Sequence, residues 1–452
     1  MRTTSRTWIA NPAAAWTSDD NADCRGGIVV EGKRIVECVP GGHTPADYSE
    51  RFDARGLVLL PGLVNCHHHF YQTLTRALPA AQNKELFAWL SALYPVWAGM
   101  DEDCVGSATE LALAELLLSG CTTASDHHYL FASAFENAID IQVETARRMG
   151  VRVVLTRGSM SLGQSSGGLP PDHVVQSEQA ILDDCQRVAS AYHERGDDAM
   201  VQIALAPCSP FSVTAELMRE SAKLARAHGL RLHTHLAETE DENAFCLEHV
   251  GRRPLEYLAD LDWLGDDVWL AHGIHFTAEE IAQLGTAGVG ICHCPSSNMI
   301  LASGLCSTLD LEAAGSPVGL GVDGSASNDH SNLIQEVRQA FLLQRLKYGS
   351  EKIAVTDALR WATSGGARVL GRPSLGSLRP GALADIALFD LDALRFSGAG
   401  DPLAALVTCG ADRARHVMVN GQWRVVDGEI PGLDMGALVA RHGKAARRLQ
   451  LG

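Results

Sequence analysis

Short apolar runs recur through the middle of the chain: Leu57–Val64, Cys121–Ser125, Val151–Arg157, Val201–Ala206, Leu230–Leu236, Val268–Ala271, Val289–Cys292 and Val318–Val322. Between and after them, Ser107–Leu118, Ala134–Met149, Val175–Arg195, Thr214–His228, Thr277–Leu284 and Asn332–Leu346 carry apolar residues at helical spacing. Runs of that length suit strands buried on both faces, and the longer periodic stretches suit amphipathic helices. Eight such strands alternating with helices predict an α/β protein built on a (β/α)8 TIM-like barrel.

The two ends of the chain have a different pattern. Gly26–Gly32, Arg34–Glu37, Ala384–Phe389, His416–Gly421 and Arg424–Gly428 place β-branched residues between glycines, which reads as hairpins. Asn420-Gly421 is the strongest of the short turn signals. The predicted organisation is a small β-sandwich assembled from residues 1–60 and 373–430, a barrel over 61–372, and a C-terminal helical segment over 431–452.

Composition narrows the function classes. The 452 residues are 46% hydrophobic and 20% charged, as in ordinary folded domains. Lys+Arg of 37 against Asp+Glu of 54 gives −17, a charge that repels phosphate backbones and argues against a nucleic-acid polymer as partner. No apolar run is long enough to span a bilayer and the N-terminus lacks a signal-peptide core, so no membrane partner is expected. Twelve scattered cysteines read as reduced thiols, giving a cytoplasmic expectation. A small molecule in a local pocket fits this balance.

The barrel reading makes a specific test, because catalytic groups of such barrels sit at the C-terminal ends of strands. Those ends read Asn65-Cys66-His67-His68-His69, His233-Thr234-His235-Leu236-Ala237-Glu238, Leu270-Ala271-His272, Cys292-His293-Cys294 and Gly321-Val322-Asp323. An isolated HxH is a weak signal, since a structural histidine pair is commoner. Imidazoles and a carboxylate at several strand exits form a strong one. Three imidazoles plus one carboxylate suit a catalytic zinc or iron ion with an open water position. Such an ion makes hydroxide available near neutral pH, and Glu238 lies within reach as a proton shuttle. A second metal bridged by a modified lysine is excluded for the middle strands, because no lysine occurs between Lys84 and Lys223. Cys292 and Cys294 lack the partners of a structural zinc site. The helical HExxH pattern, the paired H-x-E and P-C-x-x-C signature, and phosphate-cradling loops are all missing.

The segments Pro61–His69, His233–Thr239, Cys294–Asn298, Gly321–Gly324 and Pro380–Asp385 together resemble the amidohydrolase superfamily, in its branch of mononuclear zinc aminohydrolases and chlorohydrolases. The resemblance covers nearly the whole chain. It implies one divalent ion on His67, His69, His235 and Asp323, with Glu238 as proton shuttle, His272 as the group orienting water or polarising the intermediate, and Asp323 as base. His233 is then a packing or supporting residue. The stretches His68–Ala77, Ser125–Tyr129 and Gly168–Asp172 are similar to 8-oxoguanine deaminases, which implies a planar heterocyclic substrate losing ammonia. Gln72 could pair with an amide edge and Trp89 cover the ring, with Arg76, His127, Cys208 and Asn298 as further pocket candidates. Pterin, guanine or triazine rings are the alternative substrates, a non-catalytic binding protein the remote one, and a homo-oligomer is compatible with all of them.

Overall fold

A computed structural model describes residues 5–18, 22–131 and 136–451. Residues 1–4 and 19–21 of the predicted β domain, Ala134 at the predicted start of one helix, and Gly452 lie outside them. Eight parallel strands close into a barrel. They are β1 (Leu63–Asn65), β2 (Cys121–His128), β3 (Arg152–Ser159), β4 (Val201–Pro207), β5 (Arg231–Leu236), β6 (Val268–His272), β7 (Gly290–His293) and β8 (Val318–Leu320). β8 closes the ring through Leu320 opposite Asn65. Helices follow the strands as the helical spacing requires: Ala138–Met149, Glu178–Tyr192 and Ala215–His228 bury one apolar face each and expose the other. Among the described residues no helix is long and apolar enough to cross a membrane.

The first apolar run is two strands rather than one. Leu57–Pro61 pairs antiparallel with Ile386–Asp390, outside the barrel, and only Leu63–Asn65 enters the ring. The break falls at Gly62, whose N–H donates to the Asp385 carbonyl while the Leu63 N–H donates to Gly120. A Cβ at Gly62 would lie 2.2 Å from Thr122 Oγ1, so the chain switches sheets where only hydrogen fits. The eighth run also ends early as a strand, at Leu320, although the Gly321 and Asp323 N–H groups still donate to the His293 and His67 carbonyls and so hold Asp323 beside His67.

Two further sheets flank the barrel. One, in order Arg34–Val39, Gly27–Glu31, Arg6–Ala10, Glu50–Asp53, comes wholly from the N-terminal end. The other combines both ends: Gln422–Val425, His416–Val419, Ile386–Asp390, Leu57–Pro61 and Ala14–Ala15. Ile9, Ile28 and Ile35 of the first pack with Leu59, Ile386, Leu388 and Met418 of the second in one buried cluster. Each such side chain contributes roughly 1.5–3 kcal/mol when withdrawn from water. The last helix, Met435–Leu451, packs on Glu102–Leu118.

The hairpin at Asn420-Gly421 has both central residues at positive φ, 51° and 77°, the pattern of a tight two-residue turn. A Cβ at Gly421 would lie 1.8 Å from the Gly32 carbonyl oxygen. Gly421→Ala is therefore expected to cost about 1–3 kcal/mol, read as a lower urea midpoint at unchanged m-value. A midpoint within error of the parent would show that the turn tolerates the side chain.

Candidate active site

The side chains singled out at strand exits meet at one mouth of the barrel. After β1 the backbone stays extended, so His67 and His69 share a side while His68 turns away to Ser331, with its Nε2 2.8 Å from Oγ. β5 supplies His233 and His235 by the same alternation. The chain then bends sharply through non-glycine residues at positive φ, namely Ala237 (54°), His272 (72°) and Asp323 (60°). Left-handed backbone is costly for such residues, and its clustering here is typical of a functional site.

Hydrogen-bond partners fix the tautomers of the candidate ligand histidines. The Nδ1–H of His69 donates to the His127 carbonyl at 2.7 Å and that of His235 to the Cys208 carbonyl at 2.7 Å. His233 donates from Nδ1 to the Trp269 carbonyl at 2.9 Å, which leaves its Nε2 to accept from His67 Nδ1 at 2.8 Å. All three Nε2 atoms therefore carry lone pairs. His69 and His235 Nε2 lie 3.2 Å apart, and Asp323 Oδ1 lies 3.2 Å from His67 Nε2 and 3.3 Å from His69 Nε2. Buried His67 Nε2 has no hydrogen-bond partner. Burial pushes the His67 imidazole well below its ordinary range and His235 to about 3, so both stay neutral. Four acceptor atoms this close with no proton among them repel one another, and a cation at their centre reverses the sign. Three nitrogens and one oxygen are a donor set for a catalytic divalent metal, and His67, His69 and Asp323 form a candidate metal group.

Beside this cluster stand Glu238 and His272, with Glu238 Oε2 3.4 Å from His272 Nε2. Burial, and then the Asp323 charge, push the Glu238 carboxyl well above its usual range, which favours the protonated form that can donate. His272 Nδ1 donates to Asn298 Oδ1 at 3.0 Å, leaving Nε2 as an acceptor 3.9 Å from Asp323 Oδ2.

The cluster opens into a small cavity. Its apolar walls are Leu86, Trp89, Leu90, Phe211 and Leu301; Gln72, Tyr94, Cys208 and Ser327 are polar. Among the described residues, no charged side chain outside the histidine–carboxylate cluster lines it. Gln72, Trp89 and Cys208 from the sequence reading thus face the cavity, whereas Arg76, His127 and Asn298 do not. Arg76 pairs with Glu115 and reaches Ser325 and Ser331. His127 packs against the candidate metal-binding cluster, its Nε2 2.9 Å from the Ala206 carbonyl and its ring stacked on His235. Asn298 acts through His272. Charge and hydrogen-bonding capacity nominated these three, and the local partners that occupy them are distant in sequence. Tyr94 was not singled out by sequence: its buried hydroxyl, like Gln72 Oε1, has no partner. Its place on the apolar helix Leu86–Trp97 gave no signal.

His233 is stacked on Trp269, with ring centroids 4.3 Å apart and planes 11° from parallel. His233→Phe keeps that stack and removes the acceptor that orients His67. Metal affinity, measured by chelator competition, is expected to fall about 10–100-fold. His233→Gln, which restores an acceptor, recovers part of it. Unchanged affinity in the phenylalanine variant would reduce His233 to packing.

A closed barrel with a metal-type donor cluster and an acid–base pair at its C-terminal mouth defines a barrel hydrolase. The sequence profile of the Amidohydrolase family matches residues 58–424, and the chain belongs to that family. It is 61% identical over 449 residues to the 8-oxoguanine deaminase of Pseudomonas aeruginosa, covering 99% of this chain and 100% of the relative. Identity to the hydroxydechloroatrazine ethylaminohydrolase of Pseudomonas sp. strain ADP is 40% over 395 residues, 85% of this chain and 81% of that one. The crystal structure of atrazine chlorohydrolase TrzN from Arthrobacter aurescens TC1 complexed with zinc superposes with a TM-score of 0.91 at 33% identity, covering 98% and 99% of the two chains.

Proposed function

We propose that this protein hydrolyses 8-oxoguanine to urate and ammonia, using one zinc ion held by His67, His69, His235 and Asp323. The carrying observation is a buried Glu238 whose Oε2 lies 3.4 Å from His272 Nε2, beside Asp323 at the wall of a small cavity. The 61% identity over the full length supports the choice of ring. A free base suits the lining, since among the described residues no Lys or Arg lines the cavity to receive a phosphate, and Leu86, Trp89, Leu90, Phe211 and Leu301 make apolar walls.

The ion supplies Lewis acidity, which brings the pKa of water toward neutrality. His272 Nε2 accepts a hydrogen from the attacking water and orients it, while Asp323 Oδ2 takes the proton released as oxygen bonds to the amine-bearing carbon. Glu238 gives its proton to the adjacent ring nitrogen. Returned through Glu238 and Asp323, one proton converts the amine to ammonia, and the other, lost from the new hydroxyl, restores the Glu238 carboxyl as the C–N bond breaks and the carbonyl forms. Gln72 and Tyr94 supply the polar contacts that hold the ring, and Trp89 with Phe211 covers its faces.

The test is a panel of 8-oxoguanine, guanine, isoxanthopterin and a chlorotriazine, scored by release of ammonia or chloride. The expected result is the highest kcat/KM on 8-oxoguanine, loss of turnover after chelation, and recovery with zinc. Preferential chloride release from the triazine would instead make the protein a chlorohydrolase, the reading favoured by its structural likeness to TrzN. No turnover of any ring by the zinc-loaded protein would defeat the proposal.

A further inference from the structure

Glu242 is wholly buried and lines no part of the cavity, yet both its carboxylate oxygens are engaged next to the site. Oε1 accepts the Ala237 N–H at 2.9 Å and Oε2 accepts the Glu238 N–H at 3.1 Å. Glu242 is the third residue of the helix Glu240–Val250, whose N-cap is Thr239. A carboxylate at that position ordinarily reaches back to the N-cap N–H in a capping box. Here it passes over Thr239 and takes the two amides before it.

Those two amides belong to the segment that aims the proton shuttle. Ala237 has φ 54°, a conformation that L residues avoid. Its carbonyl is fixed from the other side by the N–H groups of Ile274 and His275, each at 2.9 Å, and Gly273 N–H donates to Leu236 at 3.2 Å. The turn after β5 is thereby tied to the loop that carries His272. Released from Glu242, two buried N–H groups would lose their acceptors and the left-handed residue would lose its constraint.

We infer that Glu242 is a positioning residue: its two-pronged grip holds the Ala237 turn and so sets the approach of Glu238 to His272 and the substrate. The inference rests on the deaminase reading above. In zinc-loaded Glu242→Gln, one acceptor remains and an amide NH₂ faces a backbone donor. The expected result is a 10–100-fold fall in kcat, KM within threefold, and one metal per chain retained. Adding Ala237→Gly, which adopts the turn freely, is expected to restore at least fivefold. A kcat within twofold of the parent, absence of recovery with glycine, or loss of metal or of the cooperative melt in step with activity would overturn it. Amide hydrogen exchange gives a readout independent of turnover. Ala237 and Glu238 are expected to exchange at least tenfold faster in Glu242→Gln while Leu236 and Gly273 stay protected, and unchanged exchange would overturn the inference. If the parent protein turns over no substrate, the deaminase reading fails, and the exchange result alone decides whether Glu242 holds the turn.

Discussion

Glu238→Gln is expected to lower kcat about 10²–10⁴-fold, the range for losing a positioned acid–base group. The substitution keeps size and polarity but can neither give up nor carry the proton that the ring nitrogen and the leaving amine require. Glu238 contacts His272 rather than the converging Nε2 atoms, so metal content measured by elemental analysis should stay at the parent level. Ammonia release near the parental rate, with full metal, would remove Glu238 from the proton path. Metal loss in parallel would instead make it part of the ion's support.

The largest stability effect is expected at Asp385. Its carboxylate receives Arg152 Nε at 3.2 Å and Nη2 at 3.1 Å, and the Asn420 N–H at 2.7 Å. Both side chains of the ion pair are essentially inaccessible to water. Arg372 adds a second guanidinium nearby, and its pKa is pushed down to about 10 by burial and by the charge of Arg152. Asp385→Asn leaves that crowded positive charge uncompensated in a dry setting, and breaking a buried pair from one side costs about 3–5 kcal/mol. Urea denaturation at neutral pH measures it. A loss below about 1 kcal/mol would mean that the carbonyls of Asp198 and Ala199, which also accept from Arg152, suffice to hold its charge.

The metal-type cluster was legible in the sequence because two short-range rules sufficed. Alternation along a strand puts His67 with His69 and His233 with His235, and the barrel rule collects strand ends at one mouth. The hairpin at Asn420-Gly421 was legible for a similar reason, since its turn chemistry is local. What sequence could not supply was long-range partnership. Arg76 suited a substrate contact and a salt bridge equally until Glu115 faced it, and Asn298 looked like a pocket wall until it met His272. Glu242 carried no sequence signal of its own. The run Leu57–Val64 read as one strand because hydrophobicity does not record a change of sheet. Only the closeness of Thr122 to Gly62 explains why it breaks there.

The pairing of Leu57–Pro61 with Ile386–Asp390 has a consequence for biosynthesis. As the chain leaves the ribosome, that early strand has no antiparallel neighbour until most of the polypeptide has followed it. Nascent or prematurely terminated molecules ending before residue 386 would present an open hydrophobic edge, a template for aggregation.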